Sequence, residues 1–372
     1  MEMRTRTLLQ EIRKARGLAA AELAQRIGAS RQTIYAIEDG SYVPNTAIAL
    51  RLARVLDVRV EELFSLEEPA ENAGQPIRAE LLGSPSEEIK EGQMVRLCRV
   101  HERLVAVPVP SLPAYLPPGD GIIQGRPGRT VSIKSSLEIP GNDKRLLVAG
   151  CDPALSVLTE LLAPSGIEII TVPCPSRCAL QWLKQGRVHA AGSHLLDRAT
   201  GDYNVPFIQR VFPEGSVRVV TFAVWEQGLI VERGNPKKIT SIADLRRRNV
   251  KIMNRETGSG SRDLLDRGLS AAGIATKSIK GYGDLADGHL PAAYAVATKR
   301  ADCCIAAQSA SRRFGLDIIP LATERFDLTF SQASLELPAA KAFLETLNHA
   351  ALRQRLQTMA GYETRQTGMV QL

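Results

Sequence analysis

Long apolar runs are missing from this chain of 372 residues. None approaches the roughly 20 residues that a bilayer-spanning helix needs, so no membrane anchor is expected. The opening stretch, MEMRTRTLLQEIRKARG, is charged and amphipathic. It lacks the apolar core of a signal peptide, and a cytoplasmic protein is expected. Also missing are a nucleophile elbow, a phosphate-loop lysine motif and a metalloprotease helix. No other catalytic set takes their place, so an enzyme is not expected. The only two tryptophans, Trp182 and Trp225, suit core or hinge packing. Six cysteines in a reducing compartment are expected to be thiols. What is present is ordinary: 44% hydrophobic residues suffice for cores, and the length suits two or three domains. A net charge of +7 is compatible with a nucleic-acid partner without requiring one.

The strongest local signal lies between Ala20 and Pro44, AAELAQRIGASRQTIYAIEDGSYVP. A first short helix, Ala21–Arg26, buries Leu23 and Ile27. Gly28 then breaks it at a turn that favours positive φ. Ser30 is a good N-cap for a second helix, Arg31–Glu38, which buries Ile34 and Ile37. That leaves Arg31, Gln32, Tyr35 and Ala36 facing outward, and Arg and Gln are the side chains that pair with guanine and adenine edges in the major groove. The stretch SRQTIYAIEDGSYVPN, followed by ALRLARVLDV and ELF, resembles the Cro/phage-repressor (XRE) class of helix-turn-helix domains over residues 4–66. The resemblance implies five helices: Thr5–Arg16, Ala21–Arg26, Arg31–Glu38, Thr46–Leu56 and Val60–Phe64. It further implies that Ser30, Arg31, Gln32, Tyr35 and Ala36 face DNA and that Asn45 meets a phosphate. Arg13 and Glu38 match a structural ion pair of that class.

After Phe64 the chain loses periodicity, and 67–87 reads as a linker rich in Pro, Gly, Glu and Ser. Residues 88–143 read as a small β connector, with two strands joined at His101-Glu102. From Lys144 strands and helices alternate, which predicts parallel sheets covered by helices. Asp152 and Ser176 are placed to cap helices in this stretch, 217–232 to cross between lobes as extended chain, and 338–359 to form a last helix. The segments AGCDPAL, QGRVHAAGSHLLD, WEQGLIV, NRETGSGSRDLLD, HLPAAYAVATKRADCC and GLDIIPLATERFDL together resemble type II periplasmic-binding-protein domains of the molybdate-binding-like group, over 144–335. The expected architecture is therefore multidomain: an all-α five-helix head (1–66), the linker, the β connector, a two-lobed α/β domain (144–335) and a C-terminal helix and tail (336–372).

Ligands of open α/β sheets sit beyond strand carboxyl ends, where helix N-termini offer free N–H groups. Three such turns are present: Cys151-Asp152-Pro153, Cys174-Pro175-Ser176-Arg177, with Cys178 beside it, and Thr257-Gly258-Ser259-Gly260-Ser261-Arg262. His194 and His289 point to the same region. The resemblance implies a small oxyanion effector, molybdate or tungstate. The thiols and imidazoles leave open a metal ion held by Cys151, Cys174, Cys178 and His194, or a thiol-reactive redox or persulfide signal. Glu324 and Asp327 read as solvated faces or inter-lobe ion pairs. Together these features describe a ligand-responsive regulator that grips a palindromic operator in double-stranded DNA as a homodimer or tetramer. A carrier or enzyme of molybdenum-cofactor metabolism with an accessory head is the competing class.

Overall fold

The computed structural model describes residues 4–67, 76–83, 88–109, 118–135 and 144–372, in two compact units, Met1–Gln75 and Pro76–Leu372. In the first unit, α1 (Leu9–Ala15), α2 (Ala20–Ile27), α3 (Arg31–Glu38), α4 (Thr46–Leu56) and α5 (Val60–Leu63) enclose a core of Leu23, Ile27, Ile34, Ile37, Leu52 and Leu56. The first helix starts at Leu9 rather than Thr5, because β1 (Arg4–Thr7) pairs antiparallel with β2 (Phe64–Glu67). The five helices thus carry a two-stranded ribbon that the helical pattern did not announce. Gly28 takes φ 71° at the end of α2, as the turn demands. The Ser30 hydroxyl accepts from Thr33 N–H at 3.0 Å, and Asn45 Oδ1 caps α4 by accepting from Ile48 N–H at 3.0 Å. Arg13 Nε lies 2.6 Å from Glu38 Oε1 and is buried with it, so this pair is scaffold.

The second unit opens with a closed barrel of order β3-β5-β4-β6-β7. Its strands are β3 (Ile77–Leu81), β4 (Met94–Val100), β5 (Arg103–Pro108), β6 (Gly121–Gln124) and β7 (Thr130–Lys134). Ala79, Val95, Leu97, Ala106, Ile123, Val131 and Ile133 fill it. The connector is therefore larger than expected: β3 comes from the stretch read as linker. The proline-rich run 110–117, residues 136–143 and residues 68–75 and 84–87 of that linker lie outside the described residues. No described helix is long and apolar enough to cross a membrane.

Beyond the barrel, β8 (Arg145–Ala149), α6 (Leu155–Leu162), β9 (Glu168–Val172), α7 (Ser176–Lys184), β10 (Ala190–Ser193) and α8 (Val205–Val211) build a first lobe. The long strand β11 (Val217–Val231) then crosses to a second lobe of β12 (Ile252–Arg255), α9 (Gly260–Ala271), β13 (Leu285–Ala286), α10 (His289–Ala297), β14 (Cys303–Ala307) and α11 (Gln308–Phe314). The chain returns along β15 (Asp317–Ser331). It finishes on the first lobe with α12 (Gln332–Leu335), α13 (Pro338–Leu347), α14 (Ala350–Thr358) and β16 (Tyr362–Glu363). The strands run β13-β12-β14-β11-β15-β10-β8-β9, so the antiparallel pair β11–β15 is shared by both lobes. Irregular register between Thr221 and Ala223 and between Gln227 and Gly228 breaks that pair twice, where one lobe gives way to the other.

Three local expectations are corrected. The first helix of this unit starts at Leu155, and Asp152 instead closes the preceding turn through Ala154 N–H at 2.8 Å. Ser176 does not cap α7; its hydroxyl accepts the backbone N–H of His194 at 3.2 Å. The final helix is two helices, α13 and α14, broken at Asn348-His349.

Candidate functional site

Both lobes deliver side chains to the middle of the β11–β15 pair. Cys151 follows β8, His194 follows β10, and His289 opens α10 from the other lobe. All three are buried, and their Sγ and ring-nitrogen atoms lie within 4.8 Å of one another. Cys151 Sγ is 3.4 Å from His194 Nε2 and 3.6 Å from His289 Nε2. Around them, His194 Nδ1 meets Glu324 Oε2 at 2.6 Å, and Gln227 Nε2 donates to the same carboxylate. The Ser261 hydroxyl holds Gln227 Oε1 at 2.7 Å. Trp225 stands edge-on to both imidazoles, 5.1 Å from His194 and 5.0 Å from His289 between ring centres.

The two histidines are in different states, and the reasons are local. Burial disfavours charge on His194, but Cys151 and Glu324 outweigh it and push its pKa up to about 10. Burial, Arg255 and His194 push His289 well below the ordinary histidine value. The Ala307 N–H donates to His289 Nδ1 at 3.1 Å, so the neutral ring carries its proton on Nε2, toward the sulfur. Sγ therefore sits as the acceptor between two N–H donors. Arg255, 1% exposed, also lies against Cys151; burial opposes its charge, while Glu256 and Cys151 sustain it. Its Nη1 and the Trp225 Nε1 are buried and have no hydrogen-bond partner among the described residues. Beside the cysteine, Tyr362 O–H donates to Asp152 at 2.6 Å, and burial raises Asp152 to about 6.

Histidine NMR checks this arrangement. His194 is expected to keep its proton to near pH 10 while His289 stays neutral through the neutral range. Because folding raises the His194 pKa above 6.5, its contribution to stability is whole below that pH and is lost as pH rises toward 10. Glu324→Gln removes the facing charge and is expected to bring the His194 titration down by about one unit or more. An unchanged titration in that variant would show the ion pair to be idle.

Of the residues singled out in the sequence, Cys151, Asp152, His194, Ser261 and His289 meet at this point. Ser176 supports it through His194. Ser259 caps α9 by accepting from Arg262 N–H at 3.3 Å. Gly258 and Gly260 let that turn press on the first lobe: Gly258 O accepts from Arg177 N–H at 3.4 Å, and a Cβ on Gly260 would meet His194. Thr257 is exposed, Arg177 is exposed and pairs with Asp263, and Arg262 is bound to Asp266 over the Tyr282 ring. Cys174 and Cys178 do not join Cys151 and His194; burial first, and then the contact with Cys178, raises Cys174, while the hydrogen bond with Cys174 lowers Cys178. The four-residue metal set read from the sequence is thus corrected to Cys151, His194 and His289. Glu324 and Asp327, expected on solvated faces or in inter-lobe pairs, are fully buried, the latter accepting from Thr221 and Asn204. Gln227, Arg255 and Tyr362 were missed. For Arg255 a signal existed, a charged residue at the carboxyl end of the strand VKIMNR.

On the head, Ser30, Arg31, Gln32, Tyr35 and Asn45 are exposed and Ala36 is half-buried. Arg31 Nη2 donates to Tyr35 O–H at 2.8 Å, joining two of these side chains along α3.

Comparison with known proteins agrees with both halves. The family model described as PBP superfamily domain matches residues 159–348, and the one described as helix-turn-helix matches residues 9–63. The uncharacterized protein YvgK of Bacillus subtilis is 37% identical over 232 residues, 62% of this chain and 75% of that one. An uncharacterized HTH-type transcriptional regulator of Methanothermobacter thermautotrophicus is 48% identical over 64 residues, 17% of this chain and 93% of that one. Among solved structures, the sulfate-binding protein SubI of Mycobacterium tuberculosis is 17% identical with a TM-score of 0.44, over 59% of this chain and 86% of that one. The chain belongs to the PBP superfamily-domain family and carries an XRE-type helix-turn-helix domain at its N-terminus.

Proposed function

We propose that this protein is a ligand-responsive, DNA-binding transcriptional regulator whose two-lobed body senses a small oxyanion of the molybdate kind between its lobes. The observation that carries the reading is the set of buried donors at the lobe junction. His194, Arg255 and Trp225 are each 1% exposed, and Arg255 Nη1 and Trp225 Nε1 lack an acceptor that an oxyanion would supply. Closure around the effector is the means of signalling, since an effector shifts an equilibrium only by its differential affinity for two states. The head docks α3 in the major groove of a palindromic operator as a homodimer or tetramer, with Ser30, Arg31, Gln32, Tyr35, Ala36 and Asn45 as contacts.

The test is calorimetry and thermal unfolding of the full chain with molybdate, tungstate, sulfate and phosphate, alongside binding to its own promoter fragment. An effector at about 100 times its Kd adds about 2.7 kcal/mol of stability. A set of anions that moves neither melting nor operator affinity sinks the oxyanion. On the DNA side, Arg31→Ala is expected to cost roughly 1–3 kcal/mol in operator binding and to relax specificity at one base pair. An equal loss on every sequence would make Arg31 a phosphate contact instead.

A metal ion is the second reading, favoured by the clustering of Cys151, His194 and His289. His194, oriented by Glu324, has the carboxylate partner that metal-bound imidazoles use. His289 has the opposite: its Nδ1 accepts from Ala307 N–H, which leaves the proton on the nitrogen that would coordinate. The same N–H serves an anion well.

A further inference from the structure

We infer that Cys151 holds the oxyanion covalently, its sulfur replacing one oxygen on the central atom, so that the site selects d0 metal oxyanions over sulfate and phosphate. The inference rests on the oxyanion reading and deepens it. Had the junction been built to bind an oxyanion by hydrogen bonds alone, a thiol would be a poor choice at its centre, because S–H is a weak donor. Here the sulfur takes the central place: it lies 3.4 and 3.6 Å from two imidazole nitrogens, with the Arg255 guanidinium beside it. With donors on all these sides, the sulfur stands as an acceptor at the centre of the site.

What such a sulfur does better than a hydroxyl is bond to an electron-poor metal centre. Written for a tetrahedral MO4 dianion, the step is RS⁻ + MO4²⁻ + 2 H⁺ → RS–MO3⁻ + H2O. One M–S bond forms and one M–O bond breaks. The departing oxygen takes up two protons and leaves as water, and the metal keeps its oxidation state, so no oxidant or reductant is needed. Both protons come from solvent, and His194 keeps its own. His289 Nε2–H and the free N–H groups of Arg255 and Trp225 remain as donors for the three oxygens that stay. Molybdate and tungstate exchange oxygen readily in this way, whereas sulfate and phosphate do not exchange it with a thiol at neutral pH.

The experiment is X-ray absorption at the molybdenum edge on the full chain saturated with molybdate, with calorimetry on the wild type and on Cys151→Ser. One sulfur neighbour on molybdenum is expected in the wild type and none in Cys151→Ser, whose affinity falls at least about 10-fold. Sulfate and phosphate are expected to compete at least about 100-fold more weakly than molybdate. An all-oxygen shell around bound molybdate overturns the covalent bond while leaving the oxyanion reading intact. Absence of any molybdate binding overturns both. The wild-type spectrum decides the matter even if the serine variant folds poorly.

Discussion

Gly260→Ala is expected to leave both lobes folded and to prevent them from closing. Gly260 is the first residue of α9, where the backbone is helical and alanine is a better helix former than glycine. The obstacle lies across the junction. A Cβ there would stand 2.4 Å from His194 Nδ1, 2.5 Å from Cε1 and 2.6 Å from His194 O. The ring has little room to yield: Glu324 holds Nδ1 at 2.6 Å, Trp225 stands against its face, and Ser176 pins its backbone N–H. Relief comes by moving the second lobe away from the first. Effector affinity is then expected to fall by about 100-fold or more, a loss near 3 kcal/mol, with little change in the melting temperature of the effector-free protein. Calorimetry and thermal unfolding check this. Unchanged affinity would mean that the effector site does not need the contact between His194 and α9.

The same junction shows where the sequence was sufficient and where it was not. Cys151, His194 and His289 were legible because each stands at a strand end or helix start, positions fixed by local alternation. The fate of Glu324 was not, because it depends on pairing between distant strands. Register sets Trp225 opposite Glu324 between the two irregularities of β11–β15, and that buries an acid which the sequence suits equally to a solvated face or an inter-lobe ion pair. Gln227 escaped for the same reason. Cys174 and Cys178 looked like cleft residues by spacing, yet Cys174 packs with Leu180 and Ala179 in the core of the first lobe. On the head, Gly28, Ser30 and Asn45 act through rules confined to one turn, and helices α2 to α4 were legible almost to the residue. Strand β3 was hidden because its alternation, IRAEL, places Arg78 and Glu80 among its apolar residues. Glu80 is spent on ion pairs with Arg103 and Arg129 of the barrel and with Arg187 of the first lobe, which only folding brings near.

Arg145→Met is expected to be strongly destabilising, because Arg145 fastens the barrel to the first lobe. It is 5% exposed and begins β8. Its guanidinium donates to Leu97 O at 2.6 Å, to Asp120 at 2.7 and 3.0 Å and to Glu168 at 2.5 Å. Asp120 accepts in addition from Leu97 N–H at 2.7 Å, and Arg96 bridges Asp120 and Glu168 from the barrel side. Removing Arg145 leaves a buried carboxylate with one cation where it had two, and breaking such a pair costs about 3–5 kcal/mol. For a unit of this size that is roughly a 10 °C fall in melting temperature. The pH dependence carries a signature. Burial opposes the charge on Asp120, yet Arg145, Leu97 N–H and Arg96 hold its pKa below the usual range. Its contribution to stability is present above the ordinary aspartate pKa and is lost as pH falls through the lowered one. Arg145→Met is therefore expected to flatten the acid side of the stability curve as well as lower it. Asp120→Leu combined with Arg145→Met removes both buried charges and is expected to regain much of the loss, since well-packed apolar groups replace buried ion pairs at little cost. A double variant no more stable than Arg145→Met alone would place the effect in lost packing rather than in the stranded charge. Because the chain enters the second unit through this barrel, a loosened latch is also expected to weaken the effector's influence on operator binding while sparing effector affinity itself. That split between coupling and affinity would mark the barrel as the route by which closure of the lobes is passed along the chain.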